Sequence, residues 1–217
     1  MKNNLEKILY AISTFFFPQD EDTRILETMD IETFRRRVRV EEPAPEGIEA
    51  FFSYHDPLIR LAIREMKYHK NPKALSLLAA LTREKIIESL AEKSLGIQQK
   101  YYLVAIPESA SRRNTYGFNQ IDLLIKKITE IDGCINFETL PNALLRSRET
   151  VSQVSLPRKE RLKNMKGIFK ANPQAMLDGR SILVLDDVTT TGSTLFEAKR
   201  AFKSAGVSSI SLFAVAH

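Results

Sequence analysis

The chain has 217 residues, 43 % of them hydrophobic and 27 % charged, with a net charge of +5 and an isoelectric point of about 9.3. That length buries one sizeable core with at most a small extra lobe, and the composition is ordinary for a globular protein. The lone cysteine, Cys134, excludes an intrachain disulfide and a cysteine-built zinc site, and no apolar run approaches the ~20 residues that span a bilayer.

Leu5, Ile8, Leu9, Ile12, Phe15 and Phe16 fall at helical spacing, which predicts an amphipathic first helix ended by Pro18. Lys2 and the apolar residues after it faintly suggest a signal peptide. Glu6 and Lys7 interrupt that pattern and no A-x-A-like cleavage site follows, so the sequence reads as cytoplasmic and not membrane-bound. FRRRVRV, Phe34 to Val40, fits either a half-exposed strand or a short helix with its arginines on a solvated face. EEPAPEG, Glu41 to Gly47, has the composition of a linker. These features divide the chain into an N-terminal helix-and-linker segment, 1–46, and one main domain, 47–217.

Asp56-Pro57 opens a helix with Leu58, Ile59, Ala62, Ile63 and Met66 on one face. Asn71-Pro72 breaks it, and a second helix runs from Lys73 to Lys93. YYLVAI, Tyr101 to Ile106, is a buried strand stopped by Pro107. A polar loop with Arg112 and Arg113 follows, and then a helix over Asn119–Ile131. Arg112 and Arg113 suit a pyrophosphate; alternatively they form a solvated basic turn. Leu140 to Leu145 is a weak strand.

Eight basic residues lie between Arg146 and Lys170, opposed only by Glu149 and Glu160, so the rest of the chain is close to neutral. A long basic loop inside an α/β domain points to a polyanionic ligand, the alternative being a solvated hairpin.

The most informative stretch is SILVLDDVTTTGST, Ser181 to Thr194. Ile182 to Leu185 is apolar without alternation, as in a strand buried on both faces of a parallel sheet. Asp186 and Asp187 follow at its carboxyl end, where open α/β sheets place ligands. Then come Thr189, Thr190, Thr191, Gly192, Ser193 and Thr194, leading into a helix that Gly206 closes. A helix N-terminus with a close-approach glycine and hydroxyl donors is an anion site. The carboxylates must face another part of the ligand, such as sugar hydroxyls or a metal ion, so a sugar phosphate satisfies both halves. No lysine follows the glycine, so this is not a Walker A loop. The bland alternative is an Asp-rich turn before a Ser/Thr-capped helix. Ser208 to Ala216 is the last buried strand.

Ser181–Thr194 resembles the phosphoribosyl pyrophosphate (PRPP) loop of the type I phosphoribosyltransferases, with Thr189 where many members have an aliphatic residue. Three further blocks resemble the ComF branch of that family. MKYHKNPKAL, Met66 to Leu75, is similar to its K-Y-x-x-x helix end. IPESASRRNTYGFNQIDLL, Ile106 to Leu124, is similar to its P-x-x-x-x-R-x-x-x-R-G-F-N-Q block, with Tyr116 in place of the second arginine. In LLRSRETVSQVSLPRKERLKNMKGIF, Arg146, Thr150, Gln153, Leu156, Arg161, Asn164 and Phe169 take the positions of R-x-x-x-T-x-x-Q-x-x-L-x-x-x-x-R-x-x-N-x-x-x-x-F. FFFP at Phe15–Pro18 resembles what precedes the family's four-cysteine zinc ribbon. None of those cysteines is present, so residues 1–46 read as a remnant of that region, without zinc.

The resemblance implies a type I phosphoribosyltransferase-like α/β fold with a central, mostly parallel sheet flanked by helices. It implies a ribose on Asp186 and Asp187 and a 5′-phosphate on Thr189 to Thr194. Arg112, Arg113, Arg146 and Arg161 would meet the pyrophosphate, with Mg²⁺ carried mainly by PRPP. The expected function is phosphoribosyl transfer to an acceptor that the sequence leaves open. The alternatives are a non-catalytic phosphosugar- or nucleotide-binding accessory linked to DNA uptake, and a single-stranded DNA binder. The last ranks lowest, because Phe169 is the only aromatic residue in the basic segment. A homo-oligomer is also left open.

Overall fold

The computed structural model of the protein describes residues 21–40, 44–93, 100–109, 117–148 and 166–217. The expected first helix over 5–16 lies outside them. Two short helices, α1 (Glu21–Thr28) and α2 (Ile31–Arg37), are followed by strand β1 (Glu49–Phe52). FRRRVRV therefore begins as helix: Asp30 caps it by accepting from Thr33 N at 2.7 Å. Arg35 is not merely solvated, because its Nε and Nη2 donate to the two carboxylate oxygens of Glu84 at 3.1 and 2.7 Å.

Helix α3 (Pro57–Arg64) is capped by Asp56, whose Oδ1 accepts from Leu58 N and Ile59 N. It ends in a π-helical turn, Glu65–His69, and Lys70 then takes a left-handed conformation with φ 52°. Asn71 caps the next helix, α4 (Pro72–Glu92), by accepting from Lys73 N and Ala74 N, with Pro72 at the first position. Pro72 needs no N–H there, so the break falls where the sequence places it.

Next come β2 (Tyr101–Ala105), α5 (Gln120–Asp132), β3 (Phe137–Thr139), β4 (Leu144–Arg146), β5 (Phe169–Ala171), β6 (Ser181–Val188), α6 (Ser193–Ser204) and β7 (Ser209–Ala216). Five strands form one sheet in the order β1–β7–β6–β2–β3, with every neighbouring pair parallel. The molecule is an α/β protein with a central all-parallel sheet flanked by helices, consistent with a type I phosphoribosyltransferase-like fold. β4 and β5 pair antiparallel as a separate ribbon. The strand expected from Leu140 begins only at Leu144. Pro141 cannot donate to a ladder and Asn142 is left-handed at φ 58°, so the first half is a turn.

The central strand shows why its sequence lacks alternation. Ile182 to Leu185 are each at most 1 % exposed. Leu183 and Leu185 enter a core with Phe213, Val215 and residues of α3, α4 and α5. Ile182 and Val184 enter a second core with Leu212, Ala214, Phe169 and residues of α6. Alternate side chains thus point to opposite faces, and both faces are covered. Leu26, Met29 and Phe34 are buried in the first of these cores, which also holds Leu78 and Leu81. Among the described residues no helix is long and apolar enough to cross a membrane.

Candidate functional site

Because the five strands are parallel, their carboxyl ends share one edge, where ligands of open α/β sheets bind. β6 reaches that edge beside β7, with Asp186 opposite Ala214 and Val188 opposite Ala216. Asp186 Oδ1 accepts from Asp187 N at 2.9 Å, and Asp187 Oδ1 accepts from Val188 N at 2.6 Å. These short local bonds orient both carboxylates at the end of the strand. Asp187 Oδ2 lies 2.6 Å from Lys67 Nζ, and the two side chains are only 15 % and 19 % exposed. Burial alone would lower the pKa of the Lys67 ammonium. The carboxylates of Asp187 and, more weakly, Asp186 outweigh it and hold it above its ordinary value.

The loop after the acid pair is built from the backbone outward. Thr189 is buried, and its N–H donates to Ala216 O at 2.9 Å, extending the β6–β7 pairing. Thr190 is exposed, and its carbonyl lies 3.3 Å from His217 Nε2. Thr191 Oγ1 donates to Ser193 Oγ at 3.1 Å. Gly192, not a Ser or Thr, is the N-cap of α6, with φ 72° and no side-chain cap bond. A Cβ built on Gly192 would lie 2.3 Å from Ile48 Cδ1 and 2.8 Å from Phe196 Cε2. The glycine is thus required both by its backbone angle and by the packing beneath the loop. Gly192 itself supplies no side-chain cap, and Ser193 N, the first amide of α6, makes only a long bond to Thr191 Oγ1 at 3.4 Å, which leaves this terminus suited to an anion.

Of the expected cations, Arg146 is placed and Arg112, Arg113 and Arg161 lie outside the described residues. Arg146 stands at the end of β4. Its Nη1 donates to Pro107 O at 3.3 Å, and its guanidinium lies 5.8 Å from the centre of the Phe169 ring. It therefore reaches the loop that leaves β2, the strand beside β6. The ribbon bearing Arg146 is tied to α6: Glu197 Oε1 accepts from Gly167 N at 2.6 Å, and Arg200 Nη2 donates to Glu197 and to Phe169 O. The base of the basic segment and the helix behind the hydroxyl loop thus share one buried carboxylate. Arg148 Nη2 donates to Lys166 O across the same base at 2.6 Å.

Comparison with known proteins then gives a second line. No protein-family model matches the chain. It is similar to the DNA utilization protein YhgH of Escherichia coli K12, 28 % identical over 176 residues, covering 80 % of this chain and 74 % of that protein. It is 30 % identical to competence protein F of Haemophilus influenzae over 115 residues, 52 % of this chain and 49 % of that one. Competence protein ComFC of Streptococcus pneumoniae is 30 % identical over 131 residues, 60 % and 54 % of the two chains. The chain is thus similar to proteins whose names refer to competence and DNA utilization.

Two residues at this edge carry no role in the sequence reading. Lys67 falls inside MKYHK, in the π turn, and its partner Asp187 lies far away in the sequence. Gln120 Nε2 donates to Lys67 O at 3.4 Å, and Asn119 Nδ2 donates to Ile106 O at 2.9 Å. The Asn119-Gln120 pair thus braces the lysine turn against the end of β2. His217 is held by its own backbone: its N–H donates to Phe52 O, and its carbonyl accepts from Tyr54 N. Neither contact has a local sequence signal. Among the described residues no three His, Cys, Asp or Glu side chains stand together as a metal site. Asp187 of the acid pair already has a cation beside it in Lys67.

Proposed function

We propose that this edge binds PRPP or ribose 5-phosphate, and that the protein is a ComF-family phosphoribosyltransferase-like protein acting in the cytoplasm. The observation that carries this reading is the order at the end of β6. Two oriented carboxylates pass directly into a hydroxyl-rich loop and a glycine-capped helix N-terminus. Asp186 and Asp187 would accept from the ribose 2′- and 3′-hydroxyls. The loop from Thr190 to Thr194 would take the 5′-phosphate, with Thr189 buried beneath it. Arg146, with Arg112, Arg113 and Arg161, would receive the pyrophosphate. Mg²⁺, carried in on the pyrophosphate, would add charge neutralisation there.

Cleavage of the glycosidic bond builds positive charge on the ribose carbon and negative charge on the departing pyrophosphate. Carboxylates near the first and guanidinium groups near the second both favour that charge separation. The test is calorimetric titration with PRPP and Mg²⁺, followed by pyrophosphate release with a panel of nucleobases. Release above the base-free rate supports a transferase. Saturable binding without release supports the second reading.

That second reading is a phosphosugar- or nucleotide-binding accessory in DNA utilization or uptake. It is favoured by the names of the relatives and by the concentration of basic residues between Arg146 and Lys170. The salt slope of single-stranded DNA binding tests whether that segment contacts phosphates.

A further inference from the structure

The geometry points to Lys67 as a built-in counter-ion of the acid pair, positioning Asp187 so that the ribose phosphate is bound without a divalent cation at the carboxylates. This inference rests on the phosphosugar reading of the site. Adjacent carboxylates at a strand end repel each other and repel an incoming phosphate. A metal ion commonly relieves that repulsion, but here Lys67 Nζ sits 2.6 Å from Asp187 Oδ2.

The lysine is not a surface side chain that happens to lie nearby. Its side chain is mostly buried, it comes from a different element than the acids, and its turn is fixed on both sides. Lys70 N and Asn71 N both donate to Glu65 O, closing the π turn. The Gln120 side chain holds the Lys67 carbonyl from the β2–α5 connection. An ammonium carries three donors. One engages Asp187, and the ammonium can turn another toward a ligand oxygen, while the acid pair accepts from the ribose hydroxyls through further lone pairs. A metal would compete with Lys67 for Asp187 Oδ2. Mg²⁺ dependence should therefore be a property of the pyrophosphate and not of the ribose.

The test is calorimetry of the full chain with ribose 5-phosphate, in EDTA and in millimolar Mg²⁺, with circular dichroism to confirm the fold of each variant. The wild type is expected to bind equally well in both. Lys67→Gln is expected to lose roughly 10- to 150-fold in EDTA, the size of a charge-assisted bond, and to recover part of that loss in Mg²⁺. Lys67→Arg keeps the charge and should remain independent of the metal. Should Lys67→Gln not fold, the wild-type and Lys67→Arg titrations still decide. Wild-type binding that requires Mg²⁺ would overturn the counter-ion role while leaving the phosphosugar site standing. So would a Lys67→Gln variant that binds normally in EDTA, or one whose loss Mg²⁺ does not reduce. If the folded wild type binds no ribose 5-phosphate under either condition, the phosphosugar reading falls, and this inference falls with it.

Discussion

Replacing Gly192 by alanine perturbs the hydroxyl loop at its most constrained point. Two separate costs can be worked out. The backbone sits at φ 72°, where an L-residue with a Cβ is disfavoured by about 1–2 kcal/mol. The new Cβ also falls 2.3 Å from Ile48 Cδ1 and 2.8 Å from Phe196 Cε2, so neighbours must move. Overpacking of this kind costs about 1–3 kcal/mol, and the Ile48 methyl, at the end of a flexible side chain, can yield part of it. The expected destabilisation is therefore about 2–5 kcal/mol in urea unfolding. The two parts separate in an Ile48→Ala background. There the Ile48 clash disappears, and the backbone cost of about 1–2 kcal/mol stays together with the contact to Phe196. A Gly192→Ala variant within about 0.5 kcal/mol of wild type would refute the reasoning, because ordinary surface substitutions stay within that range.

Three further outcomes are expected. Asp186→Asn with Asp187→Asn should abolish ribose 5-phosphate binding by calorimetry and leave the circular dichroism spectrum unchanged, since the pair lies at the sheet edge outside the core. Arg146→Ala should weaken PRPP by roughly 10- to 150-fold and ribose 5-phosphate much less, because only PRPP carries the pyrophosphate; equal losses would remove Arg146 from that role. Asp132→Asn should cost about 1–3 kcal/mol, because the buried carboxylate accepts from Asn136 N, Phe137 N and Arg83. Burial alone would raise the pKa of that carboxyl, but these hydrogen bonds outweigh it and hold it below its ordinary 3.8. The carboxylate's contribution is therefore fully present above pH 3.8 and fades as pH falls through the lowered value. The gap between wild type and Asp132→Asn should narrow on that descent, which urea unfolding at a series of pH values would show.

The elements legible in the sequence are those whose cause is local. Asp56, Asn71 and Asn119 cap helices with their own side chains, so each start can be read within a few residues. β2, β6 and β7 carry apolar runs that only a doubly covered sheet explains. β1 and β3 are short edge strands, and their pairing with β7 and β2 supplies what Glu49–Phe52 and Phe137–Thr139 lack on their own. The candidate site divides in the same way. Asp186 to Thr194 is one continuous segment, so its acids, hydroxyls and glycine are visible in order. The Lys67–Asp187 pair joins residues far apart in the chain, so nothing next to Lys67 names its partner. His217 meets Thr190 only because β7 and β6 lie side by side.

The most direct measurement is a crystal structure after soaking with PRPP and Mg²⁺. The 5′-phosphate is expected against the amides and hydroxyls of Thr190 to Thr194, with the ribose 2′- and 3′-hydroxyls within hydrogen-bond distance of Asp186 and Asp187. PRPP density elsewhere on the protein, or a bare β6 edge at saturating ligand, would contradict it.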